Sequence, residues 1–127
     1  MIIGQKSINA LFIGNSYTGS NNLPNILKEL SLSLGDSIDY DVNTPGGYTL
    51  ESHSTNATTL SKIQSKNWDF VVLQEQSQRP SFSPSQVAME VYPYASVLVD
   101  SIKANNNCSE PVFYMTWGRK NGDAANC

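Results

Sequence analysis

The stretch from Ile8 to Thr18, INALFIGNSYT, is an apolar run that halts at Gly14-Asn15-Ser16. A run of this kind reads as a buried strand over Ile8–Ile13, and a glycine at its end permits a tight turn. The Ser16 hydroxyl then stands at the carboxyl end of a strand, just before a helix. In open α/β sheets, ligands gather at that edge. The chemistry on offer is nucleophilic, a serine attacking an acyl group. A plainer reading stands beside it, because serine is also a common helix cap.

Other residues with chemical potential follow in order. Gly46-Gly47 interrupts the chain after a second strand-like run, and Gln74-Glu75-Gln76 follows a third. Trp117-Gly118-Arg119 closes a fourth. The single histidine, His53, lies in a polar stretch. Such a histidine is expected at the surface, with service as a base on Ser16 as the alternative. A base must lie within hydrogen-bond reach of the hydroxyl. One histidine and two cysteines without a CxxC pair are too few for a usual zinc site. No metal or cofactor is therefore expected. Cys108 and Cys127 are either free thiols or a disulfide closing a loop of about 20 residues, worth on the order of 3 kcal/mol.

The elements that would hold these residues alternate along the chain. Leu23, Ile26, Leu27, Leu30 and Leu34 recur at helical spacing, with Pro24 suited to a first turn and Gly35 to a stop. Ser37–Val42 alternates like a strand with one wet face. Leu50–Lys66 reads as a loop leading into a short helix. Phe70–Leu73, FVVL, is apolar without alternation and fits a central parallel strand. Ser83-Pro84-Ser85-Gln86 has the capping-box pattern, and Val87, Val91, Tyr94, Leu98 and Ile102 keep one helical face up to Asn105. Val112–Trp117 is a fourth strand. The order βαβαβαβ predicts an α/β three-layer sandwich with a mainly parallel sheet, in one domain over 1–127. Right-handed crossovers bring the strand carboxyl ends to one rim. That rim collects Ser16, Gly46-Gly47, Gln74-Glu75-Gln76 and Trp117-Gly118-Arg119.

The chain has 127 residues, a net charge of −3 and 39% hydrophobic residues. The eight basic residues are scattered. Clustered Lys and Arg are what phosphate backbones require, so no nucleic-acid partner is expected. No apolar stretch approaches the roughly 20 residues needed to span a bilayer, so no membrane partner is expected. Abundant Asn and Ser with only 15% charged residues suits an exported protein, its signal removed.

The blocks resemble the SGNH (GDSL-like) hydrolase superfamily. Its first block is a strand ending in G-D-S or G-N-S, here Leu11-Phe12-Ile13-Gly14-Asn15-Ser16-Tyr17-Thr18. Its second supplies a glycine after the second strand, here within Thr44-Pro45-Gly46-Gly47-Tyr48-Thr49-Leu50. Its third is usually G-x-N-D, and here the stretch is Leu73-Gln74-Glu75-Gln76-Ser77-Gln78, with glutamine in place of asparagine. The D-x-x-H block that supplies the base is absent. The resemblance implies a flavodoxin-like α/β fold, incomplete at the C-terminus, and a serine esterase acting on small or carbohydrate esters, acetyl groups included. It implies Ser16 as nucleophile. The N–H groups of Ser16 and Gly47 would face the oxyanion, with the Gln76 side chain as third donor and Gln74 next in line.

Asn15 is then either a turn residue or an orienter of the site. Glu75 either orients a base or is structural. Trp117 and Arg119 either contact substrate or serve packing and solvation. The missing base leads to the expectation of a truncated hydrolase, weak or inactive alone. Two other classes compete. Ser16-Tyr17-Thr18-Gly19-Ser20-Asn21 resembles the flavodoxin phosphate loop, which would make this a flavin mononucleotide-binding protein. A non-catalytic binding domain on the hydrolase fold also accommodates the missing base.

Overall fold

The computed structural model describes residues 5–118 and 121–122. Four strands, β1 (Ser7–Ile13), β2 (Ser37–Asn43), β3 (Phe70–Leu73) and β4 (Glu110–Phe113), form one parallel sheet in the order β2-β1-β3-β4. The register pairs Ile13 with both Asn43 and Leu73, and Leu73 with Phe113. All four carboxyl ends are therefore level. The chain leaves β1 for β2 on one side and builds β3 and β4 on the other. The gap between β1 and β3 is thus a topological switch point, where open α/β sheets bind ligands.

The odd positions of β1, Leu11 and Ile13, point to one face with Val71 and Leu73 of β3. There they bury against Leu50, Ile63, Leu98 and Ile102, with Trp68 alongside. These partners come from helices α3 (Leu50–Ser54), α4 (Ala57–Gln64) and α6 (Tyr92–Asn105). The opposite face is covered by α2 (Leu23–Ser33), which follows the single turn α1 (Ser16–Gly19) and packs over β2. The result is the expected three-layer α/β sandwich.

Four local readings change. Leu50–Lys66 is two helices, because Thr49 and Asn56 each cap one: Thr49 Oγ1 accepts from the Ser52 N–H and Asn56 Oδ1 from the Thr59 N–H. The continuous face from Val87 to Ile102 is split at Val91 into α5 (Pro84–Glu90) and α6. Pro93 has no N–H to donate to the preceding turn, so the first helix must stop and a second begin around it. β4 ends at Phe113, not Trp117: beyond the bond from the Tyr114 N–H to the Leu73 carbonyl, β3 has turned away. Finally, the periodic apolar face of α2 is not fully buried. Ile26, Leu30 and Leu34 are exposed, because the helix lies over the β2 side of the sheet only.

Gly35 ends α2 with φ +90, the left-handed conformation that glycine adopts without strain. Cys108 is exposed; Cys127, its partner in the disulfide alternative, lies outside the described residues, as does Arg119. Among the described residues no helix is long and apolar enough to cross a membrane.

Candidate active site

Ser16 is exposed at the first position of α1, and the residues beneath it are buried. Asn15 is the cap: its Oδ1 accepts from the Tyr17 N–H at 3.0 Å. The same side chain donates from Nδ2 to the Tyr48 carbonyl at 2.9 Å, tying the serine turn to the loop that carries Gly46-Gly47. Gln74 completes the arrangement from the end of β3. Its Oε1 accepts from the Asn15 N–H at 3.0 Å and from the Thr18 hydroxyl at 2.8 Å. Its Nε2 donates to Asn15 Oδ1 at 2.9 Å and to the Glu75 carbonyl at 2.6 Å. Both amide hydrogens are used, so Gln74 is a strut beneath the serine and not a donor to an oxyanion. Asn15 serves the turn as its cap and ties it to the Tyr48 loop and to Gln74.

Gly14 is required by proximity. A Cβ there would lie 2.6 Å from Gln74 Oε1 and 2.9 Å from Thr18 Oγ1. Its φ is not in the left-handed region, so the tight turn anticipated for it is not the reason. At this rim Gly47 adopts that conformation instead. Its φ is +74 in a turn closed by the Tyr48 N–H on the Pro45 carbonyl, a geometry that favours glycine at the third position. The Gly47 N–H, like that of Ser16, makes no hydrogen bond among the described residues.

His53 overturns the surface expectation, being fully buried. Its Nε2 lies 2.7 Å from the Gly14 carbonyl, and its Nδ1 lies 2.7 Å from Thr59 Oγ1. A carbonyl only accepts, so Nε2 carries the proton and Nδ1 accepts from the threonine. Thr59 Oγ1 in turn accepts from Asn43 Nδ2 at 2.7 Å. Burial holds the imidazole below its ordinary value, with the Gly14 bond opposing. Both ring nitrogens are committed, and the residue they brace is Gly14, two before the serine. Nothing in the run Glu51-Ser52-His53 signals this. The Asn56-x-x-Thr59 capping spacing is the nearest local clue.

Glu75 is buried beside the same rim. Its Oε1 accepts from the Leu50 N–H at 3.0 Å and the Gln76 N–H at 2.6 Å, while Oε2 is buried without a partner among the described residues. Burial pushes the carboxyl up, against the pull of those two N–H groups. Gln76 turns its Oε1 to the N–H groups of Gln78 and Arg79, shaping the loop after β3. Arg79 bridges to Glu51 at 2.9 Å and to the Glu90 carbonyl at 3.0 Å, linking that loop to α3 and α5.

Trp117 reaches the serine turn from two strands away. Its ring stacks on Tyr17, with centroids 4.6 Å apart and planes 12° apart. A cavity of ≈ 580 Å³ lies behind it, walled by Leu73, Ala95, Phe113 and Met115 and bounded at one point by Glu75. Thr18, whose hydroxyl a phosphate loop would turn outward, is buried and bonded to Gln74. Among the described residues no group of three His, Cys, Asp or Glu side chains could hold a metal.

No family model matches the chain. A search of curated proteins finds no match. Among solved structures, the fold is similar to a DUF4886 family protein from Bacteroides uniformis, with a TM-score of 0.69 at 18% identity over 88% of this chain. The chain spans about half, 51%, of that protein's length. The likeness defines the fold, an α/β sandwich with a parallel sheet compatible with the SGNH type.

The arrangement offers an exposed hydroxyl on a braced turn, the backbone N–H groups of Ser16 and Gly47 without partners among the described residues, and an apolar cavity at the same end of the sheet.

Proposed function

We propose that this chain carries the nucleophile and oxyanion half of a serine ester hydrolase of the SGNH type. The observation that carries the reading is the bracing of Ser16. Asn15, Gln74 and His53 spend six side-chain hydrogen-bonding contacts on the residues Gly14 to Thr18 and Tyr48, yet leave the serine exposed. A cap alone requires only the Asn15–Tyr17 bond among these, whereas a nucleophile gains from being held in one geometry. In this reading Ser16 Oγ attacks the ester carbonyl, and the N–H groups of Ser16 and Gly47 receive the oxyanion. One such donor is worth about 3–4 kcal/mol in the transition state. The Gln76 amide is the remaining side-chain candidate for a third donor. The reading requires a base other than His53. Its substrates are small or carbohydrate esters, acetyl esters included, acting without a cofactor.

The commitment of both His53 nitrogens favours a second reading, a binding domain on the same fold. A serine-reactive fluorophosphonate separates the two. Labelling of the chain that disappears in Ser16→Ala supports a working nucleophile. Equal labelling of both proteins, or none of the wild type, refutes it.

A further inference from the structure

Ser16 and Gly47 sit on separate loops, and N–H groups that serve one oxyanion must be held in place before it forms. The Gly46-Gly47 tip cannot hold itself. It is exposed, and a Cβ at either glycine would meet nothing within 4 Å beyond its own chain neighbours. The place of Gly47 is therefore inherited from Tyr48, which is tied at three points. The Tyr48 carbonyl accepts from Asn15 Nδ2 at 2.9 Å, and its hydroxyl accepts from Asn56 Nδ2 at 3.4 Å. Its ring meets that of His53 edge to face, with centroids 5.0 Å apart and planes 64° apart.

His53 is the side chain that touches both loops. It lies one turn into α3, where its N–H donates to the Thr49 carbonyl. On the serine side its Nε2 donates to the Gly14 carbonyl at 2.7 Å, and on the Gly47 side its ring carries the Tyr48 contact. The ring is itself fixed from behind. Nδ1 accepts from Thr59 Oγ1, and Thr59 is held by Asn43 Nδ2 at the end of β2 and by Asn56 Oδ1 at the start of α4. Turning the imidazole would break a buried bond at each nitrogen, a costly change. Bracing Gly14 alone needs one N–H, which an amide would supply; only a ring also reaches Tyr48.

We propose that His53 is a positioning residue that sets the Ser16 and Gly47 N–H groups at one separation, through a hydrogen bond to Gly14 and a ring contact to Tyr48. The use of that separation for an oxyanion rests on the hydrolase reading; the separation itself does not. The two arms are separable. His53→Gln keeps an N–H near the place of Nε2 and removes the ring. His53→Phe keeps a ring and removes the N–H.

The measurement is the NMR order parameter of the two N–H groups in isotope-labelled chain. In the wild type both are expected near the rigid value of about 0.85. His53→Gln is expected to lower Gly47 towards about 0.6 and leave Ser16 rigid, and His53→Phe to lower Ser16 and leave Gly47 rigid. A flexible Gly47 in the wild type overturns the proposal, as does a rigid Gly47 in His53→Gln. Equal loosening of both groups in both variants, the mark of a merely structural residue, overturns it too. Should His53→Phe fail to fold, Tyr48→Leu decides, because it removes the ring contact at a half-buried position: Gly47 must loosen and Ser16 must not. Misplacement by about 1 Å costs on the order of 10²-fold, so both His53 variants are expected to slow the maximal rate of fluorophosphonate labelling roughly tenfold or more. The half-saturating probe concentration should stay within about twofold. Wild-type labelling rates in both variants overturn the positioning role. No labelling of the wild type removes the hydrolase reading, and the order parameters then decide the positioning alone.

Discussion

Asn15 and Gln74 hold each other reciprocally: the Asn15 N–H donates to Gln74 Oε1 at 3.0 Å, and Gln74 Nε2 donates to Asn15 Oδ1 at 2.9 Å. The pair closes the gap between β1 and β3 directly below Ser16. Gln74→Met keeps the size of the side chain but strands the Asn15 N–H and the Thr18 hydroxyl in a buried site. The expected loss is on the order of 3 kcal/mol in urea unfolding, since each orphaned group costs about 1–3 kcal/mol. A loss below about 1 kcal/mol would show that the pair is not the brace described.

Gly14 and Gly46 should respond oppositely to alanine. At Gly14 the new Cβ meets Gln74 Oε1 at 2.6 Å, and neither partner can move without breaking its own bonds. Gly14→Ala is expected to cost about 1–3 kcal/mol, the usual range for overpacking. At Gly46 nothing lies within 4 Å and φ is not positive, so alanine should fall within about 0.5 kcal/mol of the wild type. Thermal melts of the two variants side by side test the contrast, which fails if Gly46→Ala is the worse.

Two buried titrating groups give stability opposite pH slopes. His53 is held below its ordinary 6.5, so the unfolded chain binds more protons in the window below that value. Its contribution is present above pH 6.5 and is lost as pH falls towards the folded value. Glu75 is held above its ordinary 4.5, so the native state binds more protons in the window above that value. Its contribution is present below pH 4.5 and is lost as pH rises through the folded value. Glu75→Gln should therefore gain on the wild type as pH rises from 4.5, and His53→Gln should lose the decline below 6.5. Urea midpoints across this range are the measurement; a Glu75→Gln difference independent of pH would contradict the burial argument.

The two tryptophans are optically distinct. Trp68 is buried with its Nε1–H on the Lys62 carbonyl, whereas Trp117 is 61% exposed and stacked on Tyr17. Trp117→Phe is expected to remove the acrylamide-quenchable emission and leave a protected component from Trp68. Trp117→Ala should cost about 0.5–1.5 kcal/mol, the worth of an aromatic pair. Residual easily quenched emission in Trp117→Phe would mean that Trp68 is not sealed.

The rim was legible because its signals are local. Apolar runs such as Phe70–Leu73 and the breaks that follow them need only their own neighbours to be read. Pro93 is a local signal too: it lies inside the apolar period from Val87 to Ile102, and the helix breaks at Val91 ahead of it. The bracing could not be read this way. His53 acts on Gly14 at a separation of 39 residues, and Gln74 acts on Asn15 at 59. Neither has a local pattern, because a buried polar residue is defined by what covers it. The exposure of Ile26 and Leu30 was hidden for the same reason: periodicity reports a face, not its partner.

The separation of 59 positions between Asn15 and Gln74 has a consequence in time. β1 can close on β2 once Asn43 has been made, but its other edge waits for β3. Until then the serine turn has its own cap and no strut. Parallel pairings across such separations are intrinsically slow to form. The rigid hydroxyl at the rim is thus among the last parts of the molecule to be set, and a folding intermediate holding only β1 and β2 would display Ser16 without holding it.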